Sequence, residues 1–233
     1  SGTLLVEVGK RVGIRGANIF GQEANWNQYA LTKMNLMLNG FKDSTFFWGD
    51  SLSNPKLTDD GGLKRFDIVA SIPPFADKWA TEEAEFDRYG RFQYGIPPRS
   101  QATWAYISHI LASLKPNGRA VVVVPAGVLF RTSESKIRHQ IIEHNLLETV
   151  IELPQNLFYG AAISTAILVF RKDRKTTQTL FMDARKGYIS NKGIYKLSDT
   201  MVEQLLNTYK GFLSGEQVWQ ENSCPAYIAT QEE

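Results

Sequence analysis

Residues 66–75, Phe-Asp-Ile-Val-Ala-Ser-Ile-Pro-Pro-Phe, restrict the fold more than any other stretch of the chain. An apolar run is cut off by two prolines and an aromatic ring. Proline has no amide hydrogen to give to a ladder, so a strand in the middle of a sheet has to stop there. Apolar runs of this kind form parallel strands covered by helices, and this one halts abruptly, as at the edge of an active site. Taken alone, it is also compatible with a strand and a Pro-Pro turn of no catalytic meaning.

The rest of the chain alternates helix and strand patterns. Residues 3–12 carry Leu4, Leu5 and Val8 at helical spacing, and residues 29–38 read as an amphipathic helix stopped by Asn39-Gly40. Residues 17–23 and 45–48 read as short strands. Residues 99–114 and 133–145 read as helices. Between them, residues 119–124 are nearly all valine and end at Pro125, which predicts a fully buried parallel strand. Residues 147–153, 164–170 and 180–183 read as further strands, and residues 197–209 as a late helix. The alternation predicts an α/β fold with a doubly wound, mostly parallel sheet. Trp79 and Trp104 fit either a core or a cleft wall.

With 233 residues, 43% of them hydrophobic and 21% charged, the chain is long enough for one large domain with an appendage. The division expected is 1–175 and 176–233. A net charge of +2 is low for a self-sufficient duplex-binding surface, so contact with DNA would need a local patch or a partner. The single cysteine, Cys224, allows no internal disulfide and points to the reducing cytoplasm. No apolar run reaches membrane-spanning length. His109, His139 and His144 fit no zinc spacing, so no metal is expected.

In such sheets ligands sit at the carboxyl ends of strands. Ser1 and Gly2 precede the first helix, where small residues let backbone approach a ligand. Glu23 ends one expected strand. A carboxylate there can accept from both hydroxyls of a ribose, or be an ordinary surface acid. Asp50 ends the next, where it can accept from an adenine amino group or cap a turn. The order Ser1-Gly2-Thr3, Gly21-Gln22-Glu23, Gly49-Asp50-Ser51-Leu52 and Pro73-Pro74-Phe75 resembles the modification subunit of type I restriction enzymes, a family of N6-adenine DNA methyltransferases. Residues 92–98, 114–119, 124–131 and 151–158 agree, so the resemblance covers nearly the whole chain. It implies a Rossmann-like fold and S-adenosylmethionine as cofactor. Ser1 and Gly2 would lie near its methionine end, Glu23 on its ribose and Asp50 on its adenine. It also implies double-stranded DNA as substrate, a specificity subunit that chooses the sequence, and a restriction subunit as a further partner.

The resemblance breaks at the motif itself. The family has Asn-Pro-Pro-Phe where this chain has Ile72, Pro73, Pro74 and Phe75. In the family the Asn oxygen and the first proline's carbonyl accept from the target amino group, and the aromatic ring stacks on the flipped base. Ile72 has no polar atom with which to accept. Removing one such contact costs about a hundred- to a thousandfold in rate. The expectation is a DNA adenine-N6 methyltransferase of impaired activity, or a methyltransferase-like scaffold for DNA or subunits. The family's first motif also opens with a strand leading into roughly Asp-Pro-x-x-Gly-Ser-Gly, and this chain starts inside it. A central strand is therefore expected to be missing. The chain would be a piece of a longer protein, or another segment would fill the gap.

Overall fold

The computed structural model describes residues 2–13, 18–158, 162–191, 194–215 and 224–231. Its first half contains α1 (Thr3–Val12), β1 (Phe20–Glu23), α2 (Trp26–Leu38), β2 (Thr45–Trp48), β3 (Thr58–Asp59), β4 (Gly62–Leu63), β5 (Phe66–Ser71), α3 (Glu82–Glu85) and α4 (Thr103–Ala112). The second half contains β6 (Leu114–Pro125), α5 (Ser135–Glu143), β7 (Leu147–Glu152), β8 (Thr165–Arg171), β9 (Thr179–Asp183), β10 (Tyr188–Asn191), β11 (Ile194–Leu197), α6 (Asp199–Ser214) and β12 (Ala226–Ala229).

Local chemistry sets the helix limits. Asn25 caps α2 by accepting from the Gln28 amide, and Asn39 closes it by donating to the Asn35 carbonyl. Ser198 caps α6 by accepting from the Met201 amide, and Gly215 ends it at a left-handed φ of 74°. The helix expected over residues 99–114 is shorter at both ends. Arg99 and Ala102 use their backbone to tie down the preceding loop, through Trp79 N to Arg99 O and Ala102 N to Asp77 O. Leu114 is taken up by β6.

Six strands form one sheet in the order β12-β9-β7-β8-β6-β5. The β5–β6 and β7–β9 pairs are parallel, whereas β8 runs antiparallel to both of its neighbours and β12 to β9. β1 and β2 pair in parallel as a separate two-stranded sheet. Residues 176–233 supply β9 and β12 to the large sheet and α6 to one of its faces. Tyr209 of α6 donates to Glu148 Oε1 of β7 at 2.6 Å.

Alternating side chains commit the sheet to helices on both faces. Ala120, Val122 and Val124 of β6, with Val150, Leu168 and Phe170, pack under Trp104, Ile107 and Leu111 of α4 and Ile137 and Ile141 of α5. On the other face Leu180 and Met182 pack on Leu205 of α6. Trp79 joins Leu52 and Ala102 in a smaller cluster, so both Trp79 and Trp104 are core residues. The expectation that residues 119–124 are fully buried needs correction. Val121 is 40% exposed, and Ile68 of β5, paired with Arg119 on the same face, is 55% exposed, because α4 and α5 cover only one face of this strand pair.

The free edges of β1 and β5 border a cleft of about 1100 Å³, walled by Leu5, Val8 and Val12 of α1 and by Tyr106, His109 and Ile110 of α4. Among the described residues neither edge has a second ladder partner. The Phe20 and Phe66 rings, 5.4 Å apart, approach each other where the two strands begin.

Two outcomes follow from this packing. Leu168→Ala, at a position 1% exposed, is expected to lower unfolding free energy by about 2–5 kcal/mol in denaturant titrations. His109 is held neutral: burial, assisted by the charge of Arg91, pushes it down to about 4, against the opposing carboxylates of Asp87 and Asp50. A depressed histidine contributes stability above its unfolded value near 6.5, and this is lost as pH falls toward 4. Thermal unfolding of His109→Gln should therefore depend less on pH between those values than that of the parent. Parallel profiles would contradict this.

Candidate active site

Glu23 is the last residue of β1, and Asp50 stands two residues beyond β2. Both therefore reach the carboxyl end of the small sheet, and Ile72 begins immediately after β5. Oε1 of Glu23 accepts from the Asn25 amide at 2.9 Å, while Oε2 takes no hydrogen bond from a described residue. Asp50 accepts from the Leu52 amide through Oδ1 at 2.9 Å and from Ser53 Oγ through Oδ2 at 3.0 Å. It therefore caps its own turn. Each carboxylate oxygen has a second lone pair, so the cap leaves room for a further donor. Gln22 pins the same loop to β1, donating to the Asn54 carbonyl at 2.9 Å and accepting from the Lys56 amide at 2.8 Å.

Tyr106 reports how these acids gather. Burial, and then the negative charges of Asp50, Asp77 and Glu23, push its hydroxyl up to about 12. One phenol on α4 thus feels three carboxylates from three separate segments. The cleft reaches Tyr106. Its lining includes Gln22, Ser51 and Ser71, the immediate neighbours of Glu23, Asp50 and Ile72.

Gly2 caps α1 at φ 69°. A Cβ there would lie 2.6 Å from Thr32 Cγ2, so its smallness serves the contact between α1 and α2. Ser1 lies outside the described residues. At the end of β5 the Ile72 side chain is 45% exposed, Pro73 is buried and Pro74 is exposed. Phe75 is half-buried and meets the Phe158 ring edge-on, with centroids 5.6 Å apart and planes at 87°. The sequence alone does not mark Phe158 as a site residue. The segment Asn156-Leu157-Phe158 carried a family-like pattern, but no local feature put it beside Phe75. Among the described residues no group of three or more His, Cys, Asp or Glu side chains is placed to hold a metal ion.

A model of the N-6 DNA methylase family matches residues 1–233, the whole chain. The type I restriction enzyme MjaVIII methylase subunit of Methanocaldococcus jannaschii is 32% identical over 91% of this chain and 39% of its own length. The HindI methylase subunit of Haemophilus influenzae is 31% identical over 81% of this chain and 44% of its own. The chain thus spans less than half the length of these relatives. Among solved structures, the type I restriction-modification methyltransferase subunit from Streptococcus thermophilus superposes with a TM-score of 0.88 at 30% identity, covering 99% of this chain and 49% of that one. With every residue inside the family model, and with the acids and the Pro-Pro-Phe turn at the carboxyl ends of β1, β2 and β5, the chain belongs to the N-6 DNA methylase family.

Proposed function

We propose that this chain is the catalytic-domain part of a type I modification subunit, which transfers a methyl group from S-adenosylmethionine to N6 of adenine in double-stranded DNA. The observation that carries this reading is that Glu23, Asp50 and the Pro73–Phe75 turn all stand at or just beyond the carboxyl ends of β1, β2 and β5, in a chain matched throughout by the family. The Oε2 of Glu23, unbonded among the described residues, fits a ribose diol, and the remaining lone pairs of Asp50 fit an adenine amino group. The cofactor supplies an electrophilic methyl group on a sulfonium centre. The chain's own residues orient both substrates. Glu23 and Asp50 hold the adenosine part, and Phe75, backed by Phe158, gives an aromatic face for a base turned out of the duplex. The Pro73 carbonyl accepts from the target amino group and draws its lone pair back from the ring. A specificity subunit chooses the site and a restriction subunit completes the assembly, with residues 176–233 as a subunit-contacting extension.

A second reading, a non-enzymatic scaffold for DNA or subunits, is favoured by one residue. Ile72 stands where the family uses an acceptor. At 45% exposure Ile72 is not a buried core residue. The two readings separate in a methyl-transfer assay with labelled cofactor, duplex DNA and the specificity subunit. Ile72→Asn is expected to raise the transfer rate about a hundred- to a thousandfold. A parent chain that already methylates at the rate of the variant would refute the role given to position 72. A variant that stays inactive while binding cofactor would favour the scaffold. Glu23→Ala is expected to weaken cofactor binding in calorimetric titration by about tenfold or more, the value of a hydrogen bond to a charged group.

A further inference from the structure

The segment that follows the Pro-Pro-Phe turn reaches back to the loop carrying Asp50. Asp87 and Arg91 are an ion pair with side chains 4% and 3% exposed, Arg91 Nε lying 2.6 Å from Asp87 Oδ1. The Arg91 amide donates to Asp87 Oδ2, also at 2.6 Å. The other side of the guanidinium faces a different segment: Nη1 donates to the Leu52 carbonyl at 2.8 Å and to the Ser51 carbonyl at 3.3 Å. These are the two residues directly after Asp50. Their peptide groups are thus gripped twice. The Asp50 carboxylate takes the Leu52 amide, and Arg91 takes the carbonyls. The Arg91 guanidinium also lies 5.2 Å from the Phe92 ring centroid, and that ring stacks on buried Trp79 at 5.0 Å.

A buried guanidinium is tolerated only when its charge is paired and its donors are used. The planar fork of arginine can do both at once, one edge on a carboxylate and another nitrogen on carbonyls, whereas a lysine ammonium has no such geometry. Asp87 therefore fixes Arg91, and Arg91 fixes the backbone from which the Asp50 side chain projects. Residues 76–86 connect this clamp to Phe75 along the chain.

We infer that Arg91, oriented by Asp87, is a positioning residue for Asp50. It sets the carboxylate that recognises the 6-amino group of the cofactor's adenine, and it links that recognition to the segment bearing the target-base turn. This rests on the reading of Asp50 given under the proposed function.

The test compares the affinity of the full chain for S-adenosylhomocysteine with that for S-inosylhomocysteine, which carries a 6-oxo group in place of the amino group. The parent is expected to prefer the adenosyl compound by about ten- to a hundredfold, as a hydrogen bond to a charged group allows. In the double variant Asp87→Leu/Arg91→Met, which removes both charges and leaves neither unpaired, that preference should fall toward one. Arg91→Lys, which keeps the charge but loses the fork, should lower the preference without restoring the parent value. A purely structural clamp would change thermal stability or weaken both ligands together and leave their ratio intact. A parental ratio in either variant that folds overturns the inference. If the parent itself shows no preference, the assignment of Asp50 to adenine fails and the inference fails with it.

Discussion

β6 lies in the sheet with β5 on one side and β8 on the other, so its backbone donors and acceptors are used in both directions. An unpaired backbone group in such a position would cost as much as a lost hydrogen bond, and the valine run 121–124 gives these strands an apolar face for α4 and α5 to cover. The parallel β5–β6 ladder is what brings Ser71 opposite Val122. It thereby places residues 72–75 at the edge of the sheet. Without that ladder the proline turn would have no fixed direction, and Phe75 would have no reason to meet Phe158.

The small β1–β2 sheet is held differently. Among the described residues its strands pair only with each other, and its carboxyl end is held by side chains: Gln22 across to residues 54 and 56, and Arg91 across to residues 51 and 52. Charge contributes as well. The Tyr106 hydroxyl, half-buried on α4, feels acids from both strand ends and from the loop after β5. The carboxyl end of the small sheet is therefore organised by long-range polar contacts and the end of β5 by a backbone ladder.

That difference explains how far the sequence could be read. β2 and β5 begin and end at the residues their apolar runs suggested, and α1 was equally plain from its spacing. The acids Glu23 and Asp50 stand where strand ends put them. Elements with a weak pattern were missed. The β10–β11 hairpin and β12 are four-residue strands without a strong alternation, and Leu197, where the spacing predicts a helix start, closes β11. The sequence Ser198-Asp199-Thr200 carries the cap that marks the true beginning of α6, a signal that was available. Two further features had no local signature. Exposure of Val121 depends on which helices cover the strand pair. The meeting of Arg91 with Leu52 joins residues 39 positions apart.

One irregularity in the β5–β6 pairing has a consequence for how this site tolerates change. Phe66 pairs with Leu114, and the next pair is Ile68 with Arg119, so residues 115–118 bulge out opposite Asp67 alone. Lys115 folds over the gap onto the Asp67 carboxylate at 2.8 Å, and Gly118 is so close to Phe66 that a Cβ would lie 2.8 Å from its carbonyl oxygen. Strand side chains change face with every residue, so the phase in which β5 leaves this point decides which way position 72 looks. The bulge works as a slack joint. A change in length within 115–117 leaves the phase of β5 unaltered, whereas a single insertion between Ile68 and Ser71 would turn positions 72–75 to the opposite face.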